Sequence, residues 1–508
     1  MKGIVHLVGA GPGDAGLLTL RGAECLRQAE VVIYDHLTNT ALLRWCPPGV
    51  EVIYAGKSAT RHHMEQDVIN ALLVAKAKEG KRVVRLKGGD PYVFGRGGEE
   101  AEALAAQGLS FEEVPGVSAA LAVPAYAGIP VTHRGLASAV TIVTGHEDPT
   151  KAETAVDWEL LGKLDSTKVI LMGVSNLGKI TAALRRHAPA ETPVAMIRWG
   201  TTGHQQTLTG TLADIAERAE QAQFKAPAVI VIGKVVGLRD RLNWFETKPL
   251  FGRRVVVTRT RDQAGELSRR LEELGAEVLE IPTIKILPPK SEKVLCEAIE
   301  GIGEYDWLVF TSPNGVEHFF RVFFEVYRDI REIGGVKIAA IGPATAARLE
   351  ALHLQVDLRP KEFVAEAVLE AFKKECDVEN LRFLLPRADL ARDALPEGLE
   401  ALGAIVDDIE CYRTVPEMAD ESGNVARLLA EGADMITFTS GSTVENFCNL
   451  ADLRALTMKF RKLKLASIGP ITSEAIRKRG FEVSVEAAQH DIPGLTEAVR
   501  VFLIGKRT

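Results

Sequence analysis

The second half of the sequence repeats itself. "DWLVFTSPNGVEHF" from Asp306 aligns with "DMITFTSGSTVENF" from Asp434, and "VKIAAIGPAT" from Val336 aligns with "LKLASIGPIT" from Leu463. "ELGAEV" and "ALGAIV" match through Gly275 and Gly403. The three offsets are 128, 127 and 128 residues, so one unit has been duplicated, and a duplicated unit folds as two similar lobes with a cleft between them. In each copy a short apolar run passes through a turn of small residues into a helical pattern, which is a strand followed by a helix. The turns "FTSPNGVE", "IGPATAARL", "FTSGSTVENF" and "IGPITSEAI" set hydroxyl residues at helix N-termini, where they cap the helix or, with its free N–H groups, receive an anion. The repeat is equally compatible with consecutive and with interlaced lobes.

The first half alternates in the same way, through "KRVVRLKGGD", "AVTIVTGHE", "KVILMGVS" and "PAVIVIGKVV", so the whole chain is expected to be α/β. At 508 residues it is too long for one core. A Pro-containing stretch from Thr247 to Gly252 precedes a fresh strand at Val255–Thr258, which puts a first domain at 1–246 and a second at 253–505. A net charge of -7 argues against nucleic-acid binding by bulk charge and leaves anionic ligands to local basic clusters. Six scattered cysteines without a C-x-x-C pair suggest neither a zinc site nor a disulfide framework and fit a reducing cytoplasm. The apolar start "GIVHLVGAG" is too short and glycine-broken for a signal peptide, and no apolar run reaches the roughly 18 residues of a membrane span.

Near the start, Gly11, Gly13 and Gly16 in "GIVHLVGAGPGDAGLLTLRG" satisfy G-x-G-x-x-G, and Asp35 ends a second apolar run, "VVIYD". That is the outline of a dinucleotide site. The residues inside the turn oppose it: Pro12 removes a backbone donor and Asp14 adds negative charge where a pyrophosphate would sit. Pro-Gly instead suits a tight turn with positive φ at Gly13, letting backbone approach an uncharged or cationic ligand. A second turn, "RLKGGDPYVFGRGGEE", again carries an aspartate, Asp90.

Together "VGAGPGD", "YDHL" and "RLKGGDPYVFGRGGEE" resemble the tetrapyrrole methylase family, most closely its uroporphyrinogen-III C-methyltransferases. The likeness continues through "VPGVSAALAVPAYAGIPVTHRG", "VTGHE", "LMGV" and "VVGLRDRLNWF", over about residues 1–245. It implies S-adenosylmethionine held between two α/β subdomains, largely by backbone, with S-adenosylhomocysteine as product and neither metal nor NAD. The family's cofactor contacts fall on Pro12, Gly88, Gly89, Asp90, Val93, Ser118, Ala119, Met172, Gly200 and Ala228. Asp35 matches the proposed general base, or is a cap for the segment after it. Lys57 in "AGKSATRHH" matches a lysine proposed as proton donor, or clamps a carboxylate. Arg61, Arg85, Lys87, Arg96 and Arg134 are candidates for the carboxylates of a tetrapyrrole, a task suited to guanidinium pairs. Ser58 departs from the arginine frequent there, and Arg61 is the available substitute. His62 and His63 have no matching ligand set and read as surface residues. The resemblance also implies a homodimer through the methyltransferase domain.

The second half resembles the uroporphyrinogen-III synthase family over about residues 253–505, through "VVVTR", "FTSPNGVE", "IGPATA", "LPRAD", "ECYRT" and "SIGPITSEAI". The implied fold is two α/β lobes joined by a two-stranded connector, with the first strand–helix segment in the same lobe as the C-terminus. Tyr412 matches a tyrosine suspected of protonating the departing hydroxyl, or packs in the connector. Thr311, Ser312, Thr345, Arg387, Ser440 and Thr472 are candidates for holding acetate and propionate groups. The two resemblances fit one another, because the synthase product is the methyltransferase substrate. They imply a bifunctional enzyme with two separate sites, each expected to survive loss of the other. No dehydrogenase or chelatase module precedes Met1, so later steps, to sirohaem or to cobalamin, are expected on other chains. An NAD(P)-linked oxidoreductase and a non-catalytic tetrapyrrole carrier are the alternatives. The first would bind NAD(P) without S-adenosylmethionine, and the second would bind ligand without changing it.

Overall fold

The run Ile4–Gly9 (β1) lies between two parallel neighbours and is almost wholly buried, as a strand covered on both faces must be. The computed structural model that places it describes residues 3–47, 49–56, 64–146, 155–258, 261–360, 365–375, 377–389, 393–417 and 423–505. With β2 (Val31–Tyr34), β3 (Glu51–Tyr54), β4 (Arg82–Lys87) and β5 (Ser110–Val114), β1 forms a parallel sheet in the order β3-β2-β4-β1-β5. Alternate residues feed two cores. Val5, Leu7, Val31 and Ile33 pack with Leu73 and Leu104 of the helices Gln66–Lys78 and Gly97–Ala106, while Val8, Val32 and Val84 pack with Leu26 and Leu42. The chain leaves β1 toward β2 and leaves β4 toward β5, in opposite directions from adjacent strands. That reversal opens a crevice beyond their carboxyl ends, and both glycine turns lie there.

A second sheet holds β6 (Val140–Thr144), β7 (Thr167–Leu171), β8 (Pro193–Arg198), β9 (Gln206–Thr211) and β10 (Ala228–Ile232), in the order β6-β7-β10-β8-β9. Only the pair β6 and β7 is parallel. Pairing of Leu171 with Val229 and of Ala228 with Arg198 gathers the residues after β7, those after β8 and the start of β10 at one end of the sheet.

The chain then makes β11 (Arg254–Val257) and β12 (Glu277–Glu280), departs for β13 (Ile284–Leu287), β14 (Trp307–Phe310), β15 (Lys337–Ala340), β16 (Arg382–Ala388) and β17 (Ile405–Pro416), and returns as β18 (Met435–Phe438), β19 (Lys464–Ser467) and β20 (Val485–Glu486). One sheet is β12-β11-β18-β19-β20 and the other β13-β17-β16-β14-β15. Strands from both ends of this half therefore share a sheet. The duplication is visible in the parallel pairs β14/β15 and β18/β19, registered Trp307 to Lys337 and Met435 to Lys464. Each strand of these pairs leads into a helix, begun by Ser312 and Ser440 after the first strand of each pair and by Gly342-Pro343 and Gly469-Pro470 after the second.

Residues 1–281 with 420–508 make one compact unit, and residues 282–419 make another. The stretch Thr247–Gly252 lies inside the first unit, where Leu250 N–H donates to Leu274 O at 2.8 Å and Gly252 N–H to Gly203 O at 3.0 Å. Among the described residues no helix is long and apolar enough to cross a membrane.

Candidate functional site

The two glycine turns close on each other. Gly11 N–H donates to Gly89 O at 3.2 Å and Gly89 N–H donates to Gly11 O at 2.7 Å. Such an approach needs bare backbone: a Cβ on Gly9 would stand 2.4 Å from Gly116 Cα, and one on Gly116 would stand 2.2 Å from Gly89 O. Asp90 organises the rim, since Oδ1 accepts from Tyr92 N–H at 2.9 Å and Val93 N–H at 3.1 Å, and Oδ2 accepts from Gly116 N–H at 3.0 Å. Ser118 caps the helix Ala119–Tyr126 through Ala120 N–H, which brings Ala119 beside Gly89.

The second sheet supplies the other wall. Met172, in the left-handed region at φ 56° and half exposed, follows β7 where Ala228 begins β10. Gly200 packs so tightly on Val123 that a Cβ would meet it at 2.4 Å. The two walls are pinned by Asp14, whose N–H donates to Thr201 Oγ1 at 3.0 Å and whose Oδ2 accepts from Tyr126 Oη at 2.7 Å. Burial, reinforced by Asp14, pushes the Tyr126 phenol well above its usual range. Of the cofactor positions expected from the sequence, Gly89, Asp90, Val93, Ser118 and Ala119 are gathered around the two glycine turns, and Met172, Gly200 and Ala228 lie at one end of the second sheet. The walls of the crevice are backbone, small side chains and two carboxylates, a set that suits a nucleoside-bearing cation and not a pyrophosphate.

Asp35 stands at the end of β2, with Oδ1 accepting from Leu37 N–H at 3.1 Å and Thr38 Oγ1 at 3.2 Å, and Oδ2 lying 3.5 Å from Arg85 Nη2. Arg85 and Lys87 correct an expectation. Both side chains are buried and bound to the fully buried Glu100, at 3.1 Å and 2.8 Å from its Oε1. Burial, with Arg85 nearby, pulls the Lys87 ammonium below its usual range. Neither is presented to a ligand's carboxylate. Arg96 is exposed and pairs with Glu99 at 2.8 Å, and Arg134 is exposed. Lys57, Ser58, Arg61, His62 and His63 lie outside the described residues.

In the second unit Tyr412 Oη and Ser312 Oγ are 2.9 Å apart, and Ser312 also caps its helix through Gly315 N–H at 3.0 Å. A register shift between β16 and β17, which skips Cys411 of β17, sets Tyr412 opposite Ala388. Burial pushes the Tyr412 phenol up, which makes it a weaker acid. Arg387 is a second correction: it is buried in a bidentate pair with Asp408 and is not free for a propionate. Thr345 and Thr472 are buried in first helical turns, Thr345 Oγ1 donating to Ile341 O at 2.9 Å. Thr311 is half-buried, and in the first unit Ser440 is half-buried in a capping box with Thr443. Among the described residues no cluster of potential metal ligands occurs.

The sequence reading missed Trp199 and Thr201, which flank Gly200 in the left-handed region at φ 50° and 68°. The available signal was "WGTTGHQ", a glycine- and hydroxyl-rich turn at a strand end. It also missed Glu100, because nothing in "GRGGEE" marks the second glutamate as the buried one.

Fold and crevice together define a two-part α/β protein, a ligand-binding pair of sheets followed by a duplicated pair. Comparison with known proteins narrows this. The model of tetrapyrrole (corrin/porphyrin) methylases matches residues 5–216, and that of uroporphyrinogen-III synthase HemD matches residues 265–497. The porphyrin biosynthesis protein HemD of Ruminiclostridium josui is 38% identical over 483 residues, 94% of this chain and 94% of that protein. The S-adenosyl-L-methionine-dependent uroporphyrinogen III methyltransferase of Methanosarcina barkeri is 57% identical over 241 residues, 47% of this chain and 94% of its own length. The solved uroporphyrin-III C-methyltransferase of Thermus thermophilus in complex with S-adenosylhomocysteine aligns at 37% identity and a TM-score of 0.40, over 46% of this chain and 99% of that one. The chain belongs to the family of two-part tetrapyrrole-biosynthesis enzymes that join an S-adenosylmethionine-dependent methyltransferase to a uroporphyrinogen-III synthase.

Proposed function

We propose that the chain closes hydroxymethylbilane to uroporphyrinogen III, inverting the last ring with loss of water, and then methylates that product at carbons 2 and 7 to give precorrin-2. The observation that carries this reading is the Gly11–Gly89 closure, which joins two motif turns around a crevice with carboxylates and no phosphate cradle. Bound there, S-adenosylmethionine supplies an electrophilic methyl group on a sulfonium. The chain's own residues hold donor and acceptor carbon in line, which converts a bimolecular encounter into a near-unimolecular step.

Asp35, held by bonds from Leu37 N–H and Thr38 Oγ1 and steadied by Arg85, takes the proton that the methylated adduct must lose. In the second half Tyr412 and Ser312 share a hydrogen bond that aligns a proton for the departing hydroxyl, with geometry contributing as much as acidity. Arg96 and Arg134, both exposed, are candidates for tetrapyrrole carboxylates, Lys57 and Arg61 are candidates from the sequence alone, and assembly as a homodimer belongs to the same proposal.

Calorimetry with S-adenosylmethionine and NAD(P), followed by a methyl-transfer assay on Asp35→Asn, tests it. The wild type is expected to bind S-adenosylmethionine and not NAD(P). The variant is expected to bind equally well and to lose about 10²–10⁴-fold in methylation rate. Near-normal turnover by the variant would remove Asp35 from the base role, and NAD(P) binding alone would replace the reading with an oxidoreductase.

A further inference from the structure

The loop carrying Gly200 is strained and needs an external hold. Trp199 and Thr201 both sit at positive φ, 50° and 68°, a conformation unfavourable for a bulky or β-branched residue and kept only where neighbours enforce it. Some support is local. Thr201 N–H donates to Gln205 Oε1 at 2.9 Å, and Thr202 Oγ1 donates to Trp199 O at 2.6 Å. That hydroxyl has one proton, so it can only accept from His204 Nδ1 at 3.1 Å, whose single N–H is shared with a second, carboxylate acceptor.

The same Nδ1 lies 3.1 Å from Glu277 Oε1, on β12 of the synthase half. Glu277 is buried and is itself fixed by Arg254, at 2.8 Å, and by Arg427. One residue earlier in the loop, Gly203 meets the synthase backbone directly: a Cβ there would stand 2.3 Å from Glu277 N and 2.4 Å from Ala276 C. Gly203 O also accepts from Gly252 N–H at 3.0 Å. All these residues belong to one compact unit.

We infer that the synthase half holds the methyltransferase's cofactor loop in shape, with Glu277 a positioning residue for methyl transfer acting through His204 and Gly203. The inference rests on the reading of Gly200 as a cofactor contact. It deepens that reading by making cofactor affinity depend on residues far outside the methyltransferase half.

The test uses the full chain, with S-adenosylhomocysteine as a probe that does not turn over. Gly203→Ala should wedge the loop off Glu277, and His204→Ala should delete its hydrogen bond. Each is expected to weaken binding about tenfold, within the usual range of coupling between sites, and to raise KM for S-adenosylmethionine more than it lowers kcat. Uroporphyrinogen-III formation should be unchanged. His204→Asn, whose amide nitrogen sits on Cγ as Nδ1 does and so keeps an N–H donor for Glu277, is expected to restore most of the affinity, a rescue that general destabilisation would not produce. Should Gly203→Ala fail to fold, the two His204 variants still decide the matter. Unchanged affinity in the alanine variants, with a wild type that binds, overturns the inference. A wild type that binds no S-adenosylhomocysteine overturns the reading beneath it.

Discussion

Individual residues in this chain do their work by being committed in advance. Asp14 and Asp90 raised doubts about a phosphate ligand as free charges, and the structure shows both satisfied: Asp14 by Tyr126 and Asp90 by three backbone N–H groups. Tyr412 is committed too, to Ser312, and burial makes its phenol a reluctant acid. Tyr412→Phe is therefore expected to slow ring closure by no more than about 10²-fold, the low end for general acid catalysis. Hydroxymethylbilane left over would cyclise on its own to the non-inverted isomer, so chromatographic separation of the isomers reads the effect. Methylation of supplied uroporphyrinogen III should not change. The glycine turns were legible in sequence because Gly and Pro restrict backbone locally. The partner of a tyrosine 100 residues away from Ser312 was not, because no local rule encodes it.

At the scale of elements, the β4 strand and the helix after it carry a buried charge cluster. Arg85 and Lys87 alternate along β4 and so face the same side of the sheet, where Glu100 meets both. From sequence, a basic pair beside a ligand turn reads as a carboxylate receptor. What reverses that reading is one buried glutamate 13 residues beyond Lys87, whose position depends on how the helix docks. Glu100→Gln would leave two buried cations short of a carboxylate and is expected to cost about 3–5 kcal/mol, measured by denaturant unfolding of the first transition. A loss below 1 kcal/mol would mean the cluster is hydrated. The repeated strand–helix elements were read from sequence, since the apolar runs and small-residue turns are local signals. Which copy shares a sheet with β11 followed from the family resemblance, because the repeat alone is silent on connectivity, and is seen in the β11/β18 pairing.

For the whole molecule, the stretch Thr247–Gly252, expected as a domain boundary, lies within one compact unit made of residues 1–281 with 420–508, and residues 282–419 make the other. Within the first unit, Glu277 of β12 meets the loop that follows β8. Burial alone would push its carboxyl up, yet hydrogen bonds from His204 and Arg254, with Arg427 adjacent, hold it down to about 2. A folded value below the ordinary 4.5 means that its stabilisation is complete above about pH 4.5 and is lost as pH falls toward about 2. Thermal denaturation of wild type and Glu277→Gln at pH 7 and pH 3 should show the gap between them narrowing with acid, whereas a constant gap would deny the ionised pair its role. If one chain carries both reactions, incubation with hydroxymethylbilane, with and without S-adenosylmethionine, reveals both in one experiment. Without the methyl donor the product is expected to be uroporphyrinogen III, and with it a twice-methylated tetrapyrrole of that same ring order. Accumulation of the non-inverted isomer without the donor, or of unmethylated uroporphyrinogen III with it, would contradict the account.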